Sequence, residues 1–432
     1  MSHAEPQEYW NREVESRLRT PWPDPVLPFD PDGPGLRIYP LGTSGSAPGK
    51  KTQTSSYLLE KDGYRILLDA GTGFLLNYPP NRSPMEDLDA IAVTHLHPDH
   101  TGDLEQFAVM VSYGLPGGVA RGDIPADKKF TTKILYGPRG TRDYLKARIN
   151  AYEEAELITD AVLDRVFDVV EFDYPPAAAP LEALESAERP TVRLRDGFSF
   201  TAVPVHHVSA ADRVPAFGYR FEAERSGKPP LVVAFTGDTI DHPNLRELVR
   251  GATCVIGDAA GPPVHLTAGQ LGELAEATGV TEVGITHLIP WLKKVPGSYL
   301  AELRARFRGK ARVLISGTCC EIDDDGFGTM YWSETGQPVT PEEEATYLRG
   351  LDPMPRRFVP PGAEYRLLPG FPEEPGARLR ARLSDPDFWW ETVATAEDKT
   401  AVQPENLDAL AGVVRGEISL PELWSRFGRR SR

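Results

Sequence analysis

Cysteine is scarce: Cys254, Cys319 and Cys320 are the only three in 432 residues. An odd count with two adjacent residues supplies no disulfide framework, and the C-x-x-C spacing of a structural zinc site is missing. The thiols therefore read as buried and inert, in a reducing compartment. Basic residues are also short, with 47 Lys and Arg against 63 Asp and Glu and a formal charge of −16. A field of that sign repels polyanions unless a local basic patch overrides it, so nucleic acid is a disfavoured partner. No stretch approaches the ~18 apolar residues of a membrane span, and the N-terminus lacks a basic segment followed by an apolar one. These absences predict no membrane partner and a cytoplasmic location. With 40% hydrophobic and 25% charged residues, the chain can bury a large core as one big domain with additions.

Histidine is rare too, nine in all, yet three fall within the stretch Thr94-His95-Leu96-His97-Pro98-Asp99-His100-Thr101-Gly102-Asp103. The apolar run Ala90-Ile91-Ala92-Val93 before it reads as a buried strand, so the imidazoles and a carboxylate emerge together where strand gives way to loop. Neutral imidazoles and carboxylates suit a borderline divalent ion such as zinc, and two such ions need about seven protein ligands plus an open position for water. A solvated loop that happens to carry three histidines is the plainer alternative, and the density of the cluster argues against it. The glycine-rich segment Gly42 to Gly49 is no phosphate loop: Ser44 stands where the first glycine should be, and Lys51 where Ser or Thr should be. It reads as a tight turn beneath the metal site.

The pattern H-x-H-x-D-H resembles the signature of the metallo-β-lactamase-fold hydrolases. Leu41 to Pro48, Ser55 to Leu59 and Leu68-Asp69-Ala70-Gly71 are similar to the opening of the branch that holds the tRNA 3′-processing endonucleases (RNase Z) and their arylsulfatase-like and phosphodiesterase relatives. The resemblance implies an α/β fold, a four-layer αβ/βα sandwich with N- and C-terminal extensions. It divides the chain into an extended arm (1–36), a hydrolase domain (37–318) and a C-terminal extension (319–432) that packs on the core or mediates association, for instance in a homodimer.

The resemblance also implies the ligands. His95, His97 and His207 would hold one ion, Asp99, His100 and His287 the second, and Asp238 would bridge them. At the third motif, Val205-His206-His207, strand neighbours point to opposite faces, so only one of the two imidazoles can face the metals; motif register favours His207. His3 and His242 read as ordinary surface residues. The metals would be zinc, with manganese or iron as alternatives. A water held between two divalent ions ionises near neutral pH, and the same ions neutralise charge that develops on the scissile group. Asp99 would orient the attacking hydroxide, and Asp103 would accept from a ligand imidazole. His265-Leu266-Thr267 resembles the family's His-Ser-Thr element, which makes His265 the general acid. The family's His-Glu-Ala-Thr element is replaced by Gly257-Asp258-Ala259-Ala260, leaving Asp258 as the shorter carboxylate that orients His265.

Among the other segments, Tyr57–Glu60 and Tyr64–Asp69 read as a hairpin across an Asp-Gly turn. Leu104–Tyr113 and Arg142–Ile149 read as helices, and Tyr152–Glu188 as a surface excursion. About thirty residues separate His207 from Asp238, too few for the long tRNA-binding arm that RNase Z enzymes carry there. The expected function is therefore a binuclear metal-dependent hydrolase of a small phosphodiester, sulfate ester, carboxylic ester or lactone. The alternatives are an RNase Z-like tRNA 3′-processing endonuclease and a di-iron redox enzyme of the same fold. The redox pattern places Glu where His97 stands, and a non-catalytic binding module would have lost ligands.

Overall fold

The computed structural model describes residues 35–46, 52–79, 84–111, 132–150, 160–209, 212–288 and 295–350, with Leu27 and Phe29. Glu8 to Leu18, which reads as a short amphipathic helix within the arm, the aromatic segment Phe388-Trp389-Trp390, and Pro404 to Trp424, which reads as a terminal helix, lie outside the described residues. So do residues 359–432 as a whole, which fall in a separate unit.

Two sheets carry the architecture. The first starts with β1 (Leu36–Gly42), β2 (Ser56–Lys61) and β3 (Tyr64–Leu68), paired antiparallel. It continues in parallel through β4 (Ala90–Ala92), β5 (Lys133–Pro138) and β6 (Phe167–Phe172). The second holds β7 (Thr191–Arg195) and β8 (Phe198–Pro204); after a small hairpin, β9 (His207–Ser209) with β10 (Asp212–Val214), it resumes with β11 (Phe217–Arg225) and β12 (Lys228–Phe235). β13 (Cys254–Asp258), β14 (Glu282–Thr286) and β15 (Lys310–Val313) complete it in parallel. The chain then returns to the first sheet. β16 (Thr318–Asp323) pairs antiparallel with β1, and β17 (Gly326–Phe327) and β18 (Tyr331–Trp332) pair with β16. The expected boundary between residues 318 and 319 thus falls inside β16.

Side-chain alternation sorts the apolar residues into three cores, the number of interfaces that four layers create. Leu36, Ile38, Tyr57, Leu59 and Ile66 of the first sheet meet Phe198, Phe200, Tyr219, Phe221 and Val233 of the second in the central core. Alternate residues point outward: Tyr39, Leu58 and Leu67 pack with Leu104 and Phe107 of the helix Leu104–Val109 and with Leu145 of the helix Thr141–Ile149. On the far side, Val203, Val232, Ala234 and Val255 pack with Leu271 and Ala275 of the helix Ala268–Thr278 and with Leu300 and Leu303 of the helix Pro296–Arg304. The expected αβ/βα sandwich follows from this arrangement. Each buried Phe in the central core contributes ~1.5–3 kcal/mol of apolar transfer, and β-strands buried on both faces collect many.

One expectation needs correcting. The segment Tyr152–Glu188 contains the helix Asp160–Val166 and β6, so part of it belongs to the first sheet. Asp168 and Glu171 hid the strand, because β6 lies at the sheet's edge and exposes both. Charged edge residues are how sheets end without attracting another strand.

Candidate active site

The site sits where the carboxyl ends of β4, β12, β13 and β14 meet the end of β8, the usual ligand-binding edge of open α/β sheets. His95 follows β4, His207 opens β9, Asp238 follows β12, Asp258 ends β13 and His287 follows β14. Two contacts lock the sheets together there. The Phe217 N–H donates to the Thr94 carbonyl (3.0 Å), and the Tyr219 hydroxyl donates to the Val93 carbonyl (2.7 Å).

His95, His97 and His207 converge with their ligand nitrogens within 4.8 Å of one another. His97 Nδ1 lies 2.9 Å from His95 Nε2 and 3.1 Å from His207 Nε2. His206 is not part of this group; its ring lies 6.0 Å from that of His242. Asp99, His100, Asp238 and His287 form a second cluster within the same 4.8 Å limit. His287 Nε2 is 3.3 Å from Asp99 Oδ2, from Asp238 Oδ1 and from His100 Nε2. Asp238 is divided between the clusters: Oδ1 lies 3.3 Å from His100 Nε2, while Oδ2 lies 3.8 Å from His95 Nε2. Imidazole nitrogens gathered this tightly around carboxylates suit a pair of divalent cations, and the donor set is the nitrogen and oxygen mixture that zinc accepts.

Backbone strain helps to aim these groups. Asp69 (φ 56°) and His287 (φ 56°) occupy the left-handed region that side-chain-bearing residues seldom enter. Gly237 shares it at φ 58°, and a Cβ there would meet the Phe217 carbonyl and the Thr94 side chain, each at 3.0 Å. Only glycine lets β12 deliver Asp238 so close to β4. His287 is held by its neighbours: the Leu288 N–H donates to the Thr43 carbonyl (3.2 Å), and the Gly45 N–H to the Leu288 carbonyl (3.2 Å). The Tyr57 and Thr286 hydroxyls are hydrogen-bonded beneath it. The glycine-rich turn expected beneath the site supplies Thr43 and Gly45.

Asp69 had no role in the sequence reading. It is fully buried, accepts from the Thr94 N–H (2.7 Å) and pairs with His100 Nδ1 at 2.7 Å. Its signal was the Leu68-Asp69-Ala70-Gly71 motif, which carried the family resemblance but no assigned task. Asp103 was expected to accept from a ligand imidazole, and this is corrected. Its carboxylate accepts instead from the backbone N–H groups of Gly73 (2.8 Å) and Leu75 (3.3 Å), satisfying the start of the short helix Phe74–Asn77. His242 is corrected as well: it is 3% exposed, with Nδ1 accepting from the Asn244 N–H at 3.3 Å.

The two clusters differ in charge state without metal. Burial pushes His95 and His97 below the ordinary histidine range and His207 down to about 4, so all three rings are neutral near pH 7, the form in which an imidazole can bind a cation. In the second cluster burial works the other way from the carboxylates, and the carboxylates win. Asp238, then Asp69 and Asp99, raise His100, and Asp238 with Asp258 and Asp99 raises His287 to about 10. Against the same burial, His100 and His287 hold Asp99 down to about 2.

Beside both clusters stands a buried pair. His265 Nδ1 is 2.7 Å from Asp258 Oδ2, and the His265 ring lies 4.9 Å from His287 and 5.9 Å from His207. Burial opposes protonation of His265, and Asp258 overrides it to raise the imidazole's pKa.

The beta-lactamase superfamily domain matches residues 64–288, more than half of the chain. The chain is 26% identical over 274 residues to the ribonuclease Z of Mycolicibacterium paratuberculosis, covering 60% of this chain and 87% of that protein. It is 29% identical over 301 residues to the ribonuclease Z of Kineococcus radiotolerans, covering 63% and 90%. Among solved structures, the metallo-beta-lactamase fold protein YhfI from Bacillus subtilis shares 19% identity over 67% of this chain and 99% of that one, with a TM-score of 0.47. Among the described residues no helix is long and apolar enough to cross a membrane. The domain match and the ribonuclease Z relatives show that this chain belongs to the metallo-β-lactamase superfamily, in its ribonuclease Z-like branch, and is a hydrolase of that fold.

Proposed function

We propose that the chain is a zinc-dependent phosphodiesterase of the cytoplasm, with RNA as its leading substrate. The observation that carries this reading is the Asp258–His265 pair, 2.7 Å apart, set beside the two ligand clusters. His95, His97 and His207 would hold one ion, Asp99, His100 and His287 the other, with Asp238 between them. When bound, two such ions would lower the pKa of water and neutralise charge on the phosphoryl oxygens. The chain's own residues do the rest. Asp99 aligns the attacking group by accepting its hydrogen bond. With Nδ1 committed to Asp258, a proton passed to the departing oxygen must leave from His265 Nε2, and the raised pKa of His265 keeps that proton in place near neutral pH. Afterwards Asp258 holds the neutral ring in orientation for reprotonation.

RNA is preferred because the relatives are named ribonuclease Z. That preference revises the expectation from net charge, which disfavoured nucleic acid; a local site can overcome a global field of −16. A small phosphodiester is the second reading. It is favoured by the segment between His207 and Asp238, where the described residues are the β9–β10 hairpin and the paired strands β11 and β12, with no projecting arm. The deciding experiment offers zinc-loaded protein a precursor tRNA and bis(p-nitrophenyl) phosphate in parallel. Salt-sensitive cleavage after the discriminator base supports the RNA reading. Hydrolysis of the small diester with an untouched precursor selects the second, and failure on both removes the phosphodiesterase proposal.

A further inference from the structure

We infer that Asp258 is a positioning residue for two imidazoles at once, fixing the proposed ligand His287 as well as the acid His265; this rests on the two-ion reading above. If His287 Nε2 faces an ion, the ring's remaining proton must sit on Nδ1, and a buried N–H needs an acceptor. His287 Nδ1 is buried and makes no hydrogen bond of normal length among the described residues, and Asp258 Oδ1 faces it at 3.4 Å. The other carboxylate oxygen, Oδ2, holds His265 Nδ1 at 2.7 Å.

The carboxylate has little freedom to serve only one of them. Asp258 is 2% exposed, its Oδ1 also accepts from the Ala260 N–H (3.0 Å), and its own N–H donates to the Thr236 hydroxyl (3.0 Å). The Thr239 N–H lies 3.5 Å from Oδ2, which ties the loop following Asp238 to the same group. Asp238, Asp258, His265 and His287 together bring their ligand-type atoms within 4.8 Å of one another. The neighbouring imidazole of the second cluster shows the same arrangement, with Asp69 on His100 Nδ1 at 2.7 Å. Each second-cluster imidazole therefore has a carboxylate behind it, but only that of His287 is shared with the acid. Carboxylates behind ligand imidazoles set ring orientation and basicity, and their loss weakens metal binding about 10- to 100-fold.

The sharing makes one residue report on two functions that are otherwise separable. Zinc binding to the full-length protein is titrated by chelator competition in Asp258→Asn, Asp258→Glu and His265→Ala, alongside the unaltered chain. Asp258→Asn is expected to weaken the second equivalent of zinc about 10- to 100-fold and leave the first unchanged. His265→Ala should keep both equivalents, because it removes the acid and leaves the carboxylate on His287. Asp258→Glu, which retains the charge, should recover part of the second affinity. Wild-type-like titration in both Asp258 variants overturns the inference while leaving the two-ion reading intact, and so does an equal loss in His265→Ala, which would place the effect in the acid pair. If the unaltered chain binds fewer than two ions, the reading and the inference fall together.

Discussion

Asp69 Oδ2 and His100 Nδ1 are 2.7 Å apart, fully buried at the point where β3 and β4 end side by side. Thr94 adds hydrogen bonds from its N–H and hydroxyl to the same carboxylate, so the imidazole is aimed before any ion arrives. Asp69→Asn keeps the shape and removes the charge. Metal affinity should fall about 10- to 100-fold, measured by competition with a chromogenic chelator, and unchanged affinity would show that Thr94 alone orients the ring.

The tandem histidines separate cleanly. His207→Ala should lower metal content, because it removes one of the three imidazoles of the first cluster, whereas His206→Ala should leave content near that of the unaltered protein. Elemental analysis of the two purified variants reads this directly. Loss on His206→Ala alone would move the ligand by one position.

For His265, the leaving group is the useful variable. His265→Ala should slow hydrolysis of a diester with an alkoxide leaving group by roughly 10²- to 10⁴-fold and metal content should hold. A nitrophenyl diester, whose leaving group departs without a proton, should lose much less. Equal losses on the two substrates would make His265 a structural residue.

Metal-free protein should be most stable near pH 6.5. His207 is pushed by burial to about 4, below its unfolded value of ~6.5, so its contribution is present above that value and is lost as pH falls toward 4. Burial opposes the charge on His287, but Asp238 and its other carboxylate neighbours lift its pKa to about 10; this contribution is complete below ~6.5 and disappears as pH rises toward 10. Thermal melts across pH 4 to 10 should therefore trace a dome whose alkaline side is flattened in His287→Gln. A monotonic rise in melting temperature from pH 6.5 to 10 in chelator-treated protein would contradict the assignment.

Much of this site was legible because metal ligation demands particular atoms. His95, His97, Asp99 and His100 lie within six residues after a strand, and His207, Asp238 and His287 each follow or open a strand, so short motifs brought them to notice. Supporting residues left weaker traces. Asp69 looks like any carboxylate after a strand until His100 is seen behind the site. Asp103 falls within the histidine cluster, but it lies at the start of the helix Leu104–Val109 and serves the backbone around Gly73, a placement that motif spacing does not carry. His242 was misplaced because burial by the segment around Leu184, whose carbonyl bonds the Asn244 side chain, is a tertiary fact. In the fold, the central strands announced themselves by apolar alternation. β6 did not, since one edge strand with Asp168 and Glu171 exposed has little alternation to show.

Under the two-ion proposal, hydrolysis needs both clusters filled. Titrating apoprotein with zinc while following turnover of bis(p-nitrophenyl) phosphate reads this requirement. Activity should stay near background through the first equivalent, rise through the second and level off at two, with Asp238→Ala inactive and short of at least one ion. Full turnover at one equivalent, or two bound ions with no turnover of either the diester or a precursor tRNA, would contradict it.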